Sequence, residues 1–560
     1  MKPDSDPSSE NLSLYAGRWV ARVQGTIIGQ GGTPEQALQA AKAARHKETP
    51  EISFIPMATP LNYPPLLEDI RAALPTEVPV HLVGGAVRDL LLGRPLHDYD
   101  FVLPEQALEI SRRLADRIGA AYYPLDTERG TARLILMRET GDRDVLDFAT
   151  YRGPTLESDL CDRDFTINAM ALDLQAPQQL IDPLGGAADL RKKNLRACSH
   201  HSLADDPIRV LRAIRMAANL GLHIQPETRQ LMRQATPDLV KVSPERQRDE
   251  LLKILGGRQP SASIRALEML GVLAYVFPEI PALAGVTQSA PHIKDVWNHT
   301  LDTLKTLENI ANLLAATTDP EASGHLMLGI LSLRLGRFRE QVKTHLQTEL
   351  VPGRPARSLL FLAALYHDVS KPQTRSEDED GRVRFFGHDE LGAKIIARRG
   401  EALHLSNPET QRLELIVRHH MRPSLLSHTP GGPSKRAIYR FFRDTGEAGV
   451  DICLLSLADV WATYGATLSP DRWKEQVETI RSLLAAWWEN PEVQIRPPAL
   501  ISGNDLLQTF ELKPGPVIGE ILEAVHEAQA VGEITSRLEA LDFVRVFLDQ
   551  QKLLNPDTQS

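Results

Sequence analysis

Between residues 62 and 185 the spacing of apolar side chains keeps changing, from every second position to every third or fourth and back. Such switching predicts strands alternating with helices, hence a mixed sheet backed by helices. His81-Leu82-Val83 predicts a strand, Ala86 to Leu92 a helix, and His97 to Val102 a second strand; in the latter Asp98 and Asp100 share one face while Tyr99 and Phe101 take the other. Val-Leu-Asp-Phe-Ala around Asp147 predicts a further strand. Beyond residue 186 the pattern turns helical and stays so, broken by loops at Gly256-Gly257, Pro352-Gly353 and Thr429 to Ser434, with Ser376 to Gly381 a solvated loop and Asn555 to Ser560 a frayed end. Ahead of the mixed region, Arg18 to Val23 and Thr26 to Gly29 predict a hairpin around Gln24-Gly25. A helix follows it, with Thr33 as cap, Pro34 at its first position and Gln36 completing a capping box before Ala37 to Ala44. The expected units are a small ββα module at 1–60, a mixed-sheet unit at 61–185, and helical units at 186–290, 291–470 and 471–560. The module carries no clustered His or carboxylates and reads as a packing or solubility appendage.

Composition narrows the picture. A chain of 560 residues is too long for one core, so roughly three to five domains are expected. The net charge of −10 argues against a protein that coats nucleic acid indiscriminately. Yet Gly186 to Arg258 holds 14 Lys or Arg against 8 Asp or Glu, a basic segment in an acidic chain that could grip RNA. The three cysteines, Cys161, Cys198 and Cys453, show neither zinc-ligand spacing nor a disulfide pattern, which points to a reducing compartment. The polar start Met1 to Ser13 is not a signal peptide, and no apolar run approaches the roughly 20 residues that span a bilayer, so the expected location is cytoplasmic, with no membrane partner.

The candidate chemistry is densest between His81 and Glu105. The strand at 81–83 runs into Gly84-Gly85, where missing side chains let backbone N–H groups approach a phosphate, and the positive end of the following helix faces that phosphate. Arg88 sits in the first turns of this helix. Asp98 and Asp100, side by side, repel each other, and a divalent cation is the usual compensation; Mg²⁺ prefers one or two carboxylates plus substrate phosphates. Asp147 could add a third carboxylate. Downstream, Asp206, Arg209, Arg212 and Arg215 recur every three residues around Pro207. On a helix capped near Asp205 or Asp206, the first three would span an arc of about 120°, with Arg215 drifting further round.

Further segments follow in a fixed order: Arg163-Asp164-Phe165-Thr166-Ile167-Asn168-Ala169, then Asp182-Pro183-Leu184-Gly185-Gly186, then Asp205-Asp206-Pro207-Ile208-Arg209, then Ser243-Pro244-Glu245-Arg246. With Gly84 to Asp100 they resemble the class II group of tRNA CCA-adding enzymes and bacterial poly(A) polymerases, strongly over residues 62–290 and again near 503–519. The resemblance implies transfer of a nucleotide from CTP or ATP to the 3′ end of a tRNA, with Asp98 and Asp100 holding Mg²⁺ as the catalytic pair. It assigns Arg163 to the triphosphate, with Gly84, Gly85 and Arg88 also expected to bind the nucleotide, Asp164 and Asn168 to the ribose and the site wall, and Asp206 with Arg209 to the base edge, Arg212 and Arg215 lying alongside. Asp206 would accept from an exocyclic amine and Arg209 would donate to a ring nitrogen or carbonyl, a pattern that C and A can meet and U and G cannot. The family's usual first arginine before Arg163 is Asp162 here, which weakens any phosphate role at that position.

A second constellation comprises His299, His367-Asp368, His388, His419-His420 and Asp459, in helical surroundings. It resembles the HD phosphohydrolases, and the resemblance implies a divalent Mn, Ni, Fe or Zn ion on His299, His367, Asp368 and Asp459. His388, His419, His420 and Lys371 would be accessory, Lys371 meeting a phosphate. The fold class expected is therefore α+β multidomain: a nucleotidyltransferase head with a mixed β-sheet, then all-α neck, body, HD and tail domains. Only fifteen residues, Phe148 to Asp162, separate Asp147 from Arg163, without the Gly-Arg-Arg-Pro-like stretch of full CCA-adding enzymes. This favours the CC-adding subgroup over full CCA addition. Poly(A) polymerase is the alternative on the same head, and an HD phosphohydrolase acting on RNA-end or cyclic phosphates is an alternative from another class, alone or as a second activity.

Overall fold

The computed structural model describes residues 15–44, 48–56, 61, 63–75, 77–138, 141, 143–315 and 325–554. The polar start and the terminal stretch from Asn555 lie outside them. The chain forms two compact units, 1–242 and 243–560.

The first unit opens with strands β1 (Arg18–Val23), β2 (Thr26–Gly31) and β3 (Glu51–Ile55), and a helix at Pro34–Ala43. β1 is central and antiparallel to both neighbours. The sequence reading had no third strand, so the module is ββαβ rather than ββα. The capping box also differs. Thr33 Oγ1 accepts from the Gln36 N–H as expected, but the Gln36 side chain accepts from Gly32 N at 3.0 Å rather than from the cap residue.

The head is a seven-stranded sheet built from β4 (His81–Val83), β5 (Asp98–Leu103), β6 (Ala121–Asp126), β7 (Thr131–Met137), β8 (Arg143–Thr150), β9 (Ala171–Asp173) and β10 (Leu180–Ile181), in the order β10-β9-β4-β5-β8-β7-β6. Only β5 and β8 run parallel, and their connection passes through the Ala107–Ile118 helix and the β6–β7 hairpin, as a parallel pair requires a long crossover. The two-residue period of β5 buries Tyr99 and Phe101 and leaves Asp98 and Asp100 on the open face. Phe101 stacks on Phe148 with ring centroids 4.7 Å apart, and Leu82, Leu134 and Leu146 complete this core against the helices at Pro65–Ala73 and Ala107–Ile118. Helices at Ser202–Asp205 and Arg209–Leu220 follow the sheet.

The second unit is helical apart from two short hairpins, one of which, at Ser376–Glu377 and Val383–Arg384, lies on the stretch read as a solvated loop. Its centre is three packed helices, Val296–Ala315, Ala356–Tyr366 and Ala448–Tyr464. Every residue of Ala356–Tyr366 except Arg357 is buried, which accounts for the unbroken apolar run from Leu359 to Tyr366. The C-terminal helices Gly503–Thr509, Pro516–Val531 and Arg537–Leu554 share a cluster that includes Leu506, Ile521, Val525 and Val544. Among the described residues no helix is long and apolar enough to cross a membrane.

Candidate functional site

The Gly84-Gly85 turn joins β4 to a helix at Gly85–Leu91. Gly84 has φ +71°, a left-handed conformation natural to glycine, and a Cβ there would lie 3.1 Å from both Arg163 Nη1 and Asp100 Oδ2. The turn thus leaves Arg163 and Asp100 both close against bare backbone, in the space a side chain would fill. Asp100 pairs in register with Asp147 on β8, so Asp98, Asp100 and Asp147 share one face of the sheet. Asp147 is already engaged, because Arg133 of β7 donates Nε and Nη2 to its two oxygens at 2.8 Å. Asp100 is open to solvent on one side and crowded on the others. That crowding raises its carboxyl pKa; Arg163 opposes, and Asp147 and Asp98 reinforce the rise. Carboxylates held at such a cost in one another's field suit a cation, and the donor set fits Mg²⁺.

Around this face the arginines are tethered. Arg163 donates Nε and Nη2 to Asp159 Oδ2 at 3.2 and 3.1 Å, and Asp159 also accepts from Arg152 N. Arg88 Nη1 donates to Asn168 Oδ1 at 2.8 Å, Asn168 Nδ2 donates to Asp164 Oδ1 at 3.0 Å, and Arg212 Nη1 reaches Asp164 Oδ2 at 3.2 Å. Burial raises the Asp164 carboxyl pKa, but Arg212, Asn168 and the Phe165 N–H together bring it below the ordinary value. Arg163 and Asp159 form one pair, and Arg88, Asn168, Asp164 and Arg212, far apart in sequence, form one continuous network. Met216, which no sequence signal distinguished from core, joins it through Sδ contacts with Asn168 Nδ2 and Arg88 Nη1.

The segment around Pro207 departs from expectation. Asp206 is not on the helix with Arg209: it stands extended, at φ −146° and ψ 92°, between helices Ser202–Asp205 and Arg209–Leu220. Pro207 is the cause, since its ring disfavours the helical conformation of the preceding residue. The 120° arc therefore loses its first member, while Arg209, Arg212 and Arg215 stay on one helix. Arg209 is buried and donates to the carbonyls of Ser202 at 2.9 Å, Asp162 at 3.1 Å and Arg163 at 3.3 Å. Between β8 and Arg163 the chain is a short turn and a helix at Leu156–Cys161, closed by a reciprocal capping box of Thr155 and Ser158.

In the second unit, His299, His367, Asp368, His388, His420 and Asp459 converge. His299 Nε2 lies 3.0 Å from Asp459 Oδ1 and 3.7 Å from Asp368 Oδ2, His367 Nε2 lies 3.2 Å from Asp368 Oδ2, and His388 Nε2 lies 3.5 Å from Asp368 Oδ1. The Nδ1 atoms of His367, His388 and His420 lie 2.7–2.8 Å from the carbonyls of Ala364, Phe385 and Val417, which leaves each Nε2 for the site. The buried Nε2 atoms of His299 and His367 face the carboxylates of Asp459 and Asp368, a nitrogen and oxygen donor set that would hold a divalent ion. Burial, aided by His367 and His388, pushes His420 down to about 4, so its ring is neutral at pH 7. Burial also penalises the Asp368 carboxylate, but His367 and Lys371 outweigh it and hold Asp368 ionised. Lys371 is itself buried, 2.7 Å from both Asp368 Oδ2 and Gln288 Oε1. His419 is the exception: it falls among Arg422, Asp444, Arg418 and Glu390, outside both metal-competent groups. Next to the cluster is a cavity of 460 Å³ whose wall includes Lys371, Arg384, Phe386, His388, His420 and Asp459. His292 also lines it, its ring 5.0 Å from that of His299; it lies in a loop without periodicity, which is why the sequence did not single it out.

Known proteins share this architecture. The poly(A) polymerase head domain family matches residues 80–196, the HD domain family residues 296–460, a tRNA nucleotidyltransferase domain 2 family residues 454–544, and a family of unknown function residues 10–58. An A-adding tRNA nucleotidyltransferase of Deinococcus radiodurans is 34% identical over 84% of this chain and 95% of its own. CC-adding tRNA nucleotidyltransferases of Geobacter sulfurreducens and Thermus thermophilus are 31% and 32% identical, over 85% and 82% of this chain and 92% of each of theirs. A solved CCA-adding enzyme in complex with CTP shares the fold at TM-score 0.56 and 23% identity, covering 87% of this chain and 96% of that one. A Thermotoga maritima CCA-adding enzyme complexed with tRNA does so at TM-score 0.53 and 23% identity, covering 87% and 97%. With that head, an HD domain and relatives of this identity along most of its length, the chain belongs to the tRNA nucleotidyltransferase family.

Proposed function

We propose that this chain adds the cytidines of the 3′-terminal CCA to tRNA from CTP and stops after CC. The observation that carries this reading is the segment 151–162, a turn and a capped helix pinned through Asp159, with no length of free chain between β8 and Arg163. Asp98 and Asp100 would hold Mg²⁺, which when bound lowers the pKa of the attacking 3′-hydroxyl and stabilises the leaving oxygens. Arg163, fixed by Asp159, and the bare backbone of Gly84-Gly85 orient the triphosphate for in-line attack on its α-phosphorus. Asp206 and Arg209 meet the base edge, the latter made rigid by three carbonyls, and a wrong base leaves buried polar groups unpaired. The basic segment 186–258 takes the RNA.

The test supplies tRNA lacking its terminus with CTP, with ATP and with both. CC addition from CTP alone and no further growth with ATP is expected. Extension past CC overturns the CC-only reading, A addition to tRNA ending in CC favours the activity named for the Deinococcus relative, and a long A tract favours poly(A) polymerase. Asp98→Ala and Asp100→Ala should each cut transfer by at least the roughly hundredfold that loss of supporting shell alone can cost a metal site, with tRNA binding retained. Substantial transfer by either variant would sink the assignment.

The convergence of buried histidines and carboxylates favours a second activity, hydrolysis of RNA-end or cyclic phosphates at the HD cluster. Release of phosphate at the wild-type rate by the double variant His367→Ala, Asp368→Ala would rule that cluster out as the site responsible.

A further inference from the structure

The N-terminal module is joined to the transfer site through one side chain. Gln36 Nε2 donates to Glu157 Oε1 at 3.1 Å and to the Pro183 carbonyl at 2.9 Å, while its Oε1 accepts from Gly32 N. Next to it, Asp182 N donates to the Gly32 carbonyl at 2.8 Å, and the backbones are so close that a Cβ on Gly32 would lie 1.4 Å from Asp182 O. Phe54 of β3 also packs against the core of the head. Both segments that Gln36 grips lead inward. Glu157 is on the Leu156–Cys161 helix, whose Asp159 holds Arg163, and the Asp182-Pro183 turn opens the helix bearing Asp189, which accepts from Thr166 Oγ1 at 2.7 Å.

We infer that the module is a positioning element of the transfer reaction: through Gln36 it fixes the 156–161 helix, and so Arg163, against the incoming nucleotide. A solubility appendage would not need to bridge two separate segments with one amide. The capping box that Gln36 forgoes points the same way, since its oxygen is spent on Gly32 so that its nitrogen can reach across. The inference rests on the reading that Arg163 meets the triphosphate.

Steady-state CTP incorporation into tRNA by the full-length protein tests it, with melting temperature followed in parallel. Gln36→Ala should raise KM for CTP about fivefold, the scale of one lost hydrogen bond, with kcat within about twofold of wild type and melting unchanged. Gln36→Glu should raise KM further, because it faces Glu157 with a like charge. Adding Glu157→Gln to Gln36→Glu should bring KM part of the way back, since the bond to residue 157 then runs in the opposite direction while the Pro183 carbonyl still lacks its donor. Gly32→Val, which must push the module off the Asp182 turn, should raise KM as Gln36→Ala does. An unchanged KM in Gln36→Ala and Gln36→Glu overturns the inference. So does a KM rise that appears only with a lowered melting temperature and is not rescued in the double variant. Wild-type protein that incorporates neither CTP nor ATP overturns the transfer reading itself, and the inference with it.

Discussion

Asp147 stands beside Asp100 across the parallel pair β5–β8, yet both its oxygens are held by Arg133. The sheet therefore presents three carboxylates of which one is neutralised, leaving two for cations. Removing the guanidinium should restore the third charge: in Arg133→Ala, the Mg²⁺ concentration for half-maximal transfer is expected to fall by about tenfold, the order of one unit charge at close range in a partly exposed site. A Mg²⁺ titration of activity checks this, and an unchanged midpoint would show that Asp147 does not act on the site's cations. Asp98 and Asp100 were legible because strand periodicity fixes which side chains share a face. The Arg133 pair was not, because it depends on the register of β7 against β8, which a hairpin sequence leaves open. Asp206 was misread for a local reason, as a period of three was extended through a proline that turns the preceding residue out of the helix.

At the scale of elements, buried charge ties the helices of the second unit together. Asp451, on Ala448–Tyr464, receives Arg412 Nε at 2.7 Å from Asn407–His419 and faces His345 Nε2 at 3.0 Å on Arg339–Gln347. Burial raises its carboxyl pKa, but Arg412 and His345 outweigh that and depress it. A depressed carboxyl contributes stability that is complete above its unfolded value, about 4, and is lost as pH falls toward the lower folded value, so this joint should weaken only in acid below that point. Asp451→Asn leaves the buried Arg412 with only the exposed Glu447, 3.8 Å away, as a charge partner and should cost about 3 kcal/mol, readable by thermal or denaturant unfolding at pH 7. None of this showed in sequence, where Asp451 is one acid in an apolar run. The elements themselves were largely legible: the head's alternation, the helical remainder and the Thr33 cap follow from periodicity and capping chemistry. β3 was missed because Glu51-Ile-Ser-Phe-Ile is short and half-buried, and gains its order from pairing with β1 rather than from its own pattern.

Across the whole molecule, the two residue clusters lie in separate compact units, with Asp98 and Asp100 in 1–242 and the His299, His367, Asp368 and Asp459 cluster in 243–560. Each should be removable alone. His299→Ala is expected to abolish phosphate release while leaving nucleotide transfer near the wild-type rate, and Asp98→Ala to do the reverse; loss of both activities in either variant would show the units to be interdependent. The histidine cluster was legible as a list of candidate residues but not as a shape, since which of two adjacent histidines faces inward depends on where a helix ends: His420, at the C-cap of Asn407–His419, joins the cluster, and His419 does not. The backbone approach at Gly32 also carries a historical consequence. A side chain at that position cannot coexist with Asp182 where it stands, so a lineage in which module and head remain docked has no substitution open to it at residue 32. Glycine there marks descent with the junction kept, and drift at that codon would be the first record of a lineage letting it go.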